Sequence, residues 1–570
     1  MNSQGKKRYS HLGAKKKKAE NECTGSMKKY LRAVSVFAAL LMLATTVLAG
    51  CGKGNVVNGI VATEGSDEIL KIGVVNKGYG EAFAYKLAEA YQAKTGTETV
   101  VVKSSAADNW VTNALKSGAK NNDIDVFFDI NYSAFNMVAA KEYLTGYERA
   151  FVDLSDIYDK PLDGYSTDKT LKELVFPYAL NSSTWGNGTG EYGDDKQYFV
   201  NWATAVEGIV YNADLFEKYN LEVPKTTNEM FVLFDKINKL DNGSYAKNED
   251  GFTVYPFAYS GKVNYLTYPA MVWLAQYDGI DSFNNQLQMK DDQGVYTAEH
   301  AKSVGKLSAL NIVSKMLSQK NGYADANSYS QDFTSAQVLF LAGQSFMMCT
   351  GDWVEREMEA NFDPDSMNIK FMRIPVNSDV VNKCDSVETD EQLAEVIRFI
   401  DGEGERPSYV SDADVAYLSS ARSMYTSETN THIAYIPAYS NNISAAKDFL
   451  QFMLSKEGQE IMLENSYGNM APLNIDVKEF DYASKLSSLQ LSKFEILNNN
   501  GGATLVGPSW AHPMAYVNGL GMWGSDTMEN VFGVVETSAS FKTPQQYWQS
   551  IYERMSLNWK DKMTKAGVSN

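Results

Sequence analysis

From Leu70 onward the sequence alternates β-type and helical patterns, and no other feature restricts the possible folds as strongly. Leu70–Val75 (LKIGVV) is a short β-type run. Glu81–Lys94 sets Phe83, Leu87 and Tyr91 at four-residue spacing, which is one stripe of a helix. Glu98–Lys103 (ETVVVK) is a second strand pattern, and Asp108–Lys120 reads as a helix with Asp108 at its N-cap. Ile124–Ile130 (IDVFFDI) is a third, strongly apolar strand. Strands joined by helices in this way pair in parallel and are covered on both faces. The predicted class is α/β, with ligands expected beyond the carboxyl ends of the strands.

The first fifty residues follow different rules. Met27 opens a short basic stretch, residues 33–47 (AVSVFAALLMLATTV) are apolar, and Leu48-Ala49-Gly50-Cys51 follows. The order is that of a secretory signal. The apolar run is short beside the about 20 residues of a membrane span. The motif resembles a bacterial lipoprotein signal, which implies cleavage before Cys51 and lipidation of that residue. Residues 1–50 are therefore read as a signal region starting at Met27. Residues 51–67 are read as the lipidated Cys51 and a flexible, small and polar tether.

Composition excludes several classes. Residues 1–50 carry ten Lys or Arg and two Glu, so the overall charge of −18 leaves −26 on the remainder. A body this acidic repels nucleic acid at long range. Cys23, Cys51, Cys349 and Cys384 show neither a disulfide framework nor zinc-ligand spacing. Cys349 and Cys384 are open to pairing, with two free, partly buried thiols as the favoured reading. No His-Glu-x-x-His, Gly-x-Ser-x-Gly or Walker-type motif occurs. No metal or cofactor is expected. A chain of 570 residues exceeds one ordinary core, so two or more lobes are expected.

Four segments carry a family resemblance. Residues 207–230 (EGIVYNADLFEKYNLEVPKTTNEM), 343–353 (GQSFMMCTGDW), 445–460 (AAKDFLQFMLSKEGQE) and 468–472 (GNMAP) are similar, in this order, to the family 1 extracellular solute-binding proteins. That group includes maltose-binding protein. Gly73–Glu81 resembles a first-strand variant seen in its Gram-positive lipoprotein members. The resemblance implies a two-lobed periplasmic-binding-protein-like fold of type II, with mixed parallel sheets, flanking helices and a hinge. It places lobe 1 at 68–204 plus 431–495 and lobe 2 at 205–430 plus 496–570, with insertions near 155–195 and 355–425. It implies a monomeric receptor, lipid-anchored on the extracytoplasmic face of a bacterial membrane. Such a receptor captures a carbohydrate and delivers it to the permease subunits of an ABC importer.

A sugar needs flat aromatics for its apolar face and fixed acceptors for its hydroxyls. By resemblance, Asp129, Asn131 and Tyr132 follow the third strand where sugar contacts arise, and Asp352 and Trp353 follow an apolar strand at a stacking position. Tyr79 and Glu81 follow the first strand. Trp510 sits where another aromatic wall is expected, and Trp202 lies near the cleft floor. Each residue also has an ordinary reading, Asp129 as a turn cap and Trp353 as a core anchor. Tyr265, Tyr268 and Trp273 have helical spacing and read as a core stripe. Two other classes remain open: a secreted glycoside hydrolase, which needs two carboxylates across a cleft, and an oligopeptide-binding lipoprotein.

Overall fold

Leu70–Val75 forms strand β1, followed by helix Ala82–Thr95, β2 (Thr99–Ser104) and β3 (Val126–Ile130). The helix buries Phe83, Leu87 and Tyr91, the stripe expected from spacing, and ends at Gly96 with φ 78°. A left-handed C-cap of this kind favours glycine. The computed structural model describes residues 69–569, apart from positions concentrated at 105–123, 132–142, 186–192 and 508–525. Most of the helix expected over 108–120 lies outside the described residues, as do Cys51, Tyr132 and Trp510.

Further along come a small hairpin of β4 (Thr184–Trp185) and β5 (Lys196–Gln197), then β6 (Val200–Asn201), β7 (Val206–Asn212), β8 (Tyr255–Ala258) and β9 (Ser345–Gly351). The remaining strands are β10 (Ile369–Phe371), β11 (Met424–Ser427), β12 (His432–Tyr435) and β13 (Thr504–Val506). They build two main sheets. The first has the order β2-β1-β3-β12-β6; the second has β13-β11-β7-β9-β8, with β10 also on β7. In the first, β1 pairs in parallel with β2 and β3, while β12 runs antiparallel to β3 and β6. The molecule is two-lobed α/β with mixed sheets between helices.

The chain passes between the sheets at residues 202–205 and again at 428–431, and the two crossings are bound side by side. Thr429 donates its hydroxyl to the Ala203 carbonyl at 2.6 Å, and Ser427 donates to Thr204 at 2.6 Å. The Glu428 amide donates to the Ala205 carbonyl at 2.9 Å. A third segment joins them, since the Thr204 amide donates to Met470 at 2.8 Å. Ala205 sits at φ 47°, a left-handed conformation that costs a residue with a β-carbon about 1 kcal/mol.

Helices Ile443–Leu454 and Lys456–Asn465 cover the first sheet beside helix Ala82–Thr95. Phe449 fills that junction, its ring 5.3 Å from Tyr91 and 6.2 Å from Phe128. Helix Ser488–Asn498 packs on β10 of the second sheet, where the Ser492 hydroxyl accepts from the Phe371 amide at 2.9 Å. A separate apolar cluster, which includes Val376, Leu393, Val396, Ile397 and Leu418, forms in helices Asp390–Ile400 and Asp412–Ser423 and their surroundings. It is fastened by Asp401, which accepts from Arg422 at 2.8 Å and Lys225 at 2.9 Å. Cys349 and Cys384 are both unpaired.

Phe449 is fully buried. Phe449→Ala should cost about 3–5 kcal/mol, the usual loss for emptying an aromatic site in a core. Urea denaturation measures it, and a loss below about 1 kcal/mol would show that this junction repacks freely.

Candidate solute site between the sheets

The sequence points to residues just past the strand ends, and the structure brings four of them together. Tyr79 follows β1, Trp202 lies in the first crossing, and Asp352 and Trp353 follow β9. The rings of Tyr79 and Trp202 meet edge to face at 5.8 Å, and those of Tyr79 and Trp353 at 6.4 Å. His432 closes the group, 5.3 Å from Trp202 and 5.6 Å from Tyr79, with its plane 23° from that of Trp353. The Tyr79 hydroxyl donates to the Asp352 carboxylate, which gives a direct polar link between the β1 and β9 ends. All these residues are buried, so the cleft is shut on its own side chains.

Electrostatics follow from that burial. Asp352 accepts a second bond from the Lys493 ammonium at 2.9 Å, and Lys493 also donates to the Gly468 carbonyl at 2.8 Å. Burial lowers the pKa of His432 to about 4, so its ring is neutral at ordinary pH. Burial, then the charge of Asp352, raises that of the Tyr79 phenol, which stays a donor. Glu207 lies on β7, its amide flanked in the ladder by Gly351 and Thr426. Its carboxyl is fully buried, and burial with the nearby charge of Glu428 holds its pKa well above the usual carboxylate range.

The other expected site residues lie elsewhere. The Asp129 carboxylate accepts from the Tyr435 hydroxyl at 2.9 Å, Asn131 at 3.1 Å and the Ile130 amide at 2.9 Å. It points to the far face of β3, and only its carbonyl meets the cluster, accepting from the Trp202 indole at 3.1 Å. Glu81 pairs with Lys103 at 3.1 Å, away from the rings. Trp273 is a core residue, as its spacing suggested, and donates to the Pro375 carbonyl at 3.0 Å. Tyr265 stacks on Tyr268 at 5.4 Å and reaches the Trp353 side of the cluster.

A cavity of about 440 Å³ opens beside the crossings. Phe176, Tyr178 and Asn181 of helix Pro177–Ser183 and its start line one side; Asn284 and Gln288 of helix Ile280–Gln288 line the other. Its size falls within the range of small-molecule sites. Tyr178 stands between this cavity and the acidic floor, where Glu207 and Glu428 raise the pKa of its phenol further after burial. Sequence reading missed Tyr178, Glu207, Lys493 and His432. Only Glu207 carries a local sign, as the lone acid in an apolar strand, Val206–Asn212 (VEGIVYN).

The sequence profile of the bacterial extracellular solute-binding proteins matches residues 76–460, about two thirds of the chain. The chain belongs to that family. Its members bind solutes rather than transform them, which removes the glycoside-hydrolase alternative. No curated protein matches the chain in sequence. Among solved structures, one described for xylan utilization by the thermophilic bacterium Caldanaerobius polysaccharolyticus has a TM-score of 0.51 at 16% identity. That match covers 86% of this chain and 100% of the other, and it supports the fold. The binding protein RafE in complex with raffinose gives 0.49 at 14% identity, covering 85% and 99%. Ligand-free RafE from Streptococcus pneumoniae gives 0.49 at 15%, covering 86% and 99%.

Lys493 is fully buried and Asp352 nearly so. Removing one partner of such a pair leaves an uncompensated charge, so Lys493→Met should cost about 3–5 kcal/mol in chemical denaturation. Adding Asp352→Asn in the same chain should recover part of that loss. No recovery would mean that the Lys493 stem, and not its charge, supplies the stability.

Proposed function

We propose that this family member is an extracytoplasmic receptor that captures a carbohydrate, most simply an oligosaccharide, and delivers it to an ABC importer. The observation that carries this reading is the meeting of Tyr79, Trp202 and Trp353 around the Asp352 carboxylate at the facing ends of two sheets. Aromatic faces beside a fixed acceptor match the amphipathic surface of a sugar ring. The xylan-utilization neighbour shares the fold and leaves the choice of solute to this chemistry.

Tyr79, Asp352 and Trp353 are proposed as direct contacts, exposed when the lobes part, with Trp202 supporting them from the floor. Asn131, and Tyr132 and Trp510 outside the described residues, are proposed for the rim. Asp129 and Glu81 serve the fold through their protein partners. The lobes are proposed to join at the crossings near 204 and 431, with the return moved from near 495 to ahead of helix Ser488–Asn498, which packs on the second sheet. Closure about the crossings would follow the hinge behaviour of two-lobed binding proteins.

The family description places the protein outside the cell, and no described helix is long and apolar enough to cross a membrane. Lipidation at Cys51 is proposed as the attachment, for which one lipid-labelling experiment on the Cys51→Ala variant is decisive.

The test of binding is a thermal-shift screen of residues 52–570 against carbohydrate and peptide libraries, since a solute bound only by the folded state raises its apparent stability. Sugars should raise the transition and be returned intact, and peptides should not. Trp353→Ala should then weaken the best sugar by about tenfold or more, the loss expected from a stacked aromatic and its burial. An unchanged affinity would remove Trp353 from the site.

A further inference from the structure

Among the buried polar groups of the described residues that lack a hydrogen-bond partner, Glu207 has both carboxyl oxygens so placed. It is fully buried, and neither oxygen has a donor in hydrogen-bonding geometry. Tyr268 approaches closely enough to ease its ionisation, but burial and the acidic neighbours Glu428 and Asp352 oppose it. A buried acceptor without a donor is destabilising, and more so when charged. The fold keeps it nonetheless at the second residue of β7, directly after the crossing.

The ladder fixes where this side chain points. Glu207 lies opposite Gly351 on β9 and Thr426 on β11, and opposed residues share a face. Gly351 has no side chain, and the Trp353 ring occupies the space: a β-carbon there would lie 2.4 Å from the ring. On the other flank, the Thr426 hydroxyl donates to the Tyr268 carbonyl at 2.9 Å, at the start of helix Thr267–Asp278. The carboxylate is thus set between Trp353 and the stacked pair Tyr265–Tyr268. Asp352, one residue along from Gly351, already has its counter-charge in Lys493, and His432 is neutral.

An acid held against aromatic faces, with acidic rather than basic neighbours, keeps its proton in the shut form and gives it up only to a bound cation. A neutral hydroxyl supplies a donor but no charge. An ammonium supplies both, and it also gains from the ring faces. We infer that the solute carries a protonated amine and that the receptor takes an amino sugar, its ammonium seated on Glu207 between Trp353 and Tyr268. This inference rests on the carbohydrate reading above and adds the chemical class of the sugar.

The experiment is calorimetric titration of residues 52–570 near pH 6, where amines are protonated, so that seating the ammonium releases the proton that burial and Glu428 keep on Glu207. The probes are glucosamine dimer and tetramer, their N-acetylated forms, neutral glucose and xylose oligomers of equal length, and choline as a cation without a sugar. The glucosamine oligomers should bind about tenfold or more tighter than both the acetylated and the neutral series. Glu207→Gln keeps the shape and removes the charge, and it should erase that preference. Equal or weaker binding of the amine form by the unaltered protein overturns the inference and needs no variant, so a misfolded Glu207→Gln does not rescue it. Neutral sugars binding as well as amino sugars would sink the amine and leave the carbohydrate reading standing. Choline binding with Glu207 dependence and no sugar binding would do the reverse. No binding by any probe overturns both.

Discussion

The buried pair of Asp352 and Lys493 is the constraint around which the rest of the site is arranged. Taking two charges out of water costs several kcal/mol per ion, repaid only when geometry and secondary hydrogen bonds are good. Here the carboxylate sits at the end of β9 and the ammonium on helix Ser488–Asn498, which packs against β10. The remaining valences go to Gly468, just past a helix that covers the first sheet, and to Tyr79 after β1. Meeting the needs of one ion pair therefore ties elements of both sheets together.

Much of the fold can be read locally, and the reason is periodicity. The strand β1 and the Phe83, Leu87, Tyr91 stripe depend on neighbours two or four positions away, which the sequence displays directly. The convergence of Tyr79, Trp202 and Trp353 depends on residues far apart in the chain, and it was legible only through resemblance to a family. Lys493 and His432 gave no sign, because their roles come from burial that tertiary packing creates. Asp129 is instructive. Phe128 faces Phe83 and Trp202, so the alternation of a strand sends the next side chain the other way, to Tyr435. Counting by two along β3 separates the residue whose side chain enters the aromatic group from the one that braces the sheet.

The acidic excess of the chain is handled in different ways at different depths. In the segment around Asp401, two basic side chains converge on one carboxylate, and the group holds a satellite core to the second sheet. Beside the crossings, Glu207 meets other acids instead, and burial with the charge of Glu428 favours its protonated form. The two buried acids are separated by whether a basic partner was built in.

The Tyr79 hydroxyl on Asp352 has a further consequence for a receptor of this design. In the shut form it is an internal competitor, tethered to the chain and present at a local concentration no free solute matches. Any incoming molecule that seeks Asp352 must displace it, so the measured affinity is the solute's own affinity diminished by the share of time the plug is in place. The reduction is the same factor for every such solute, so the plug sets how much solute the receptor needs without changing the order of its preferences.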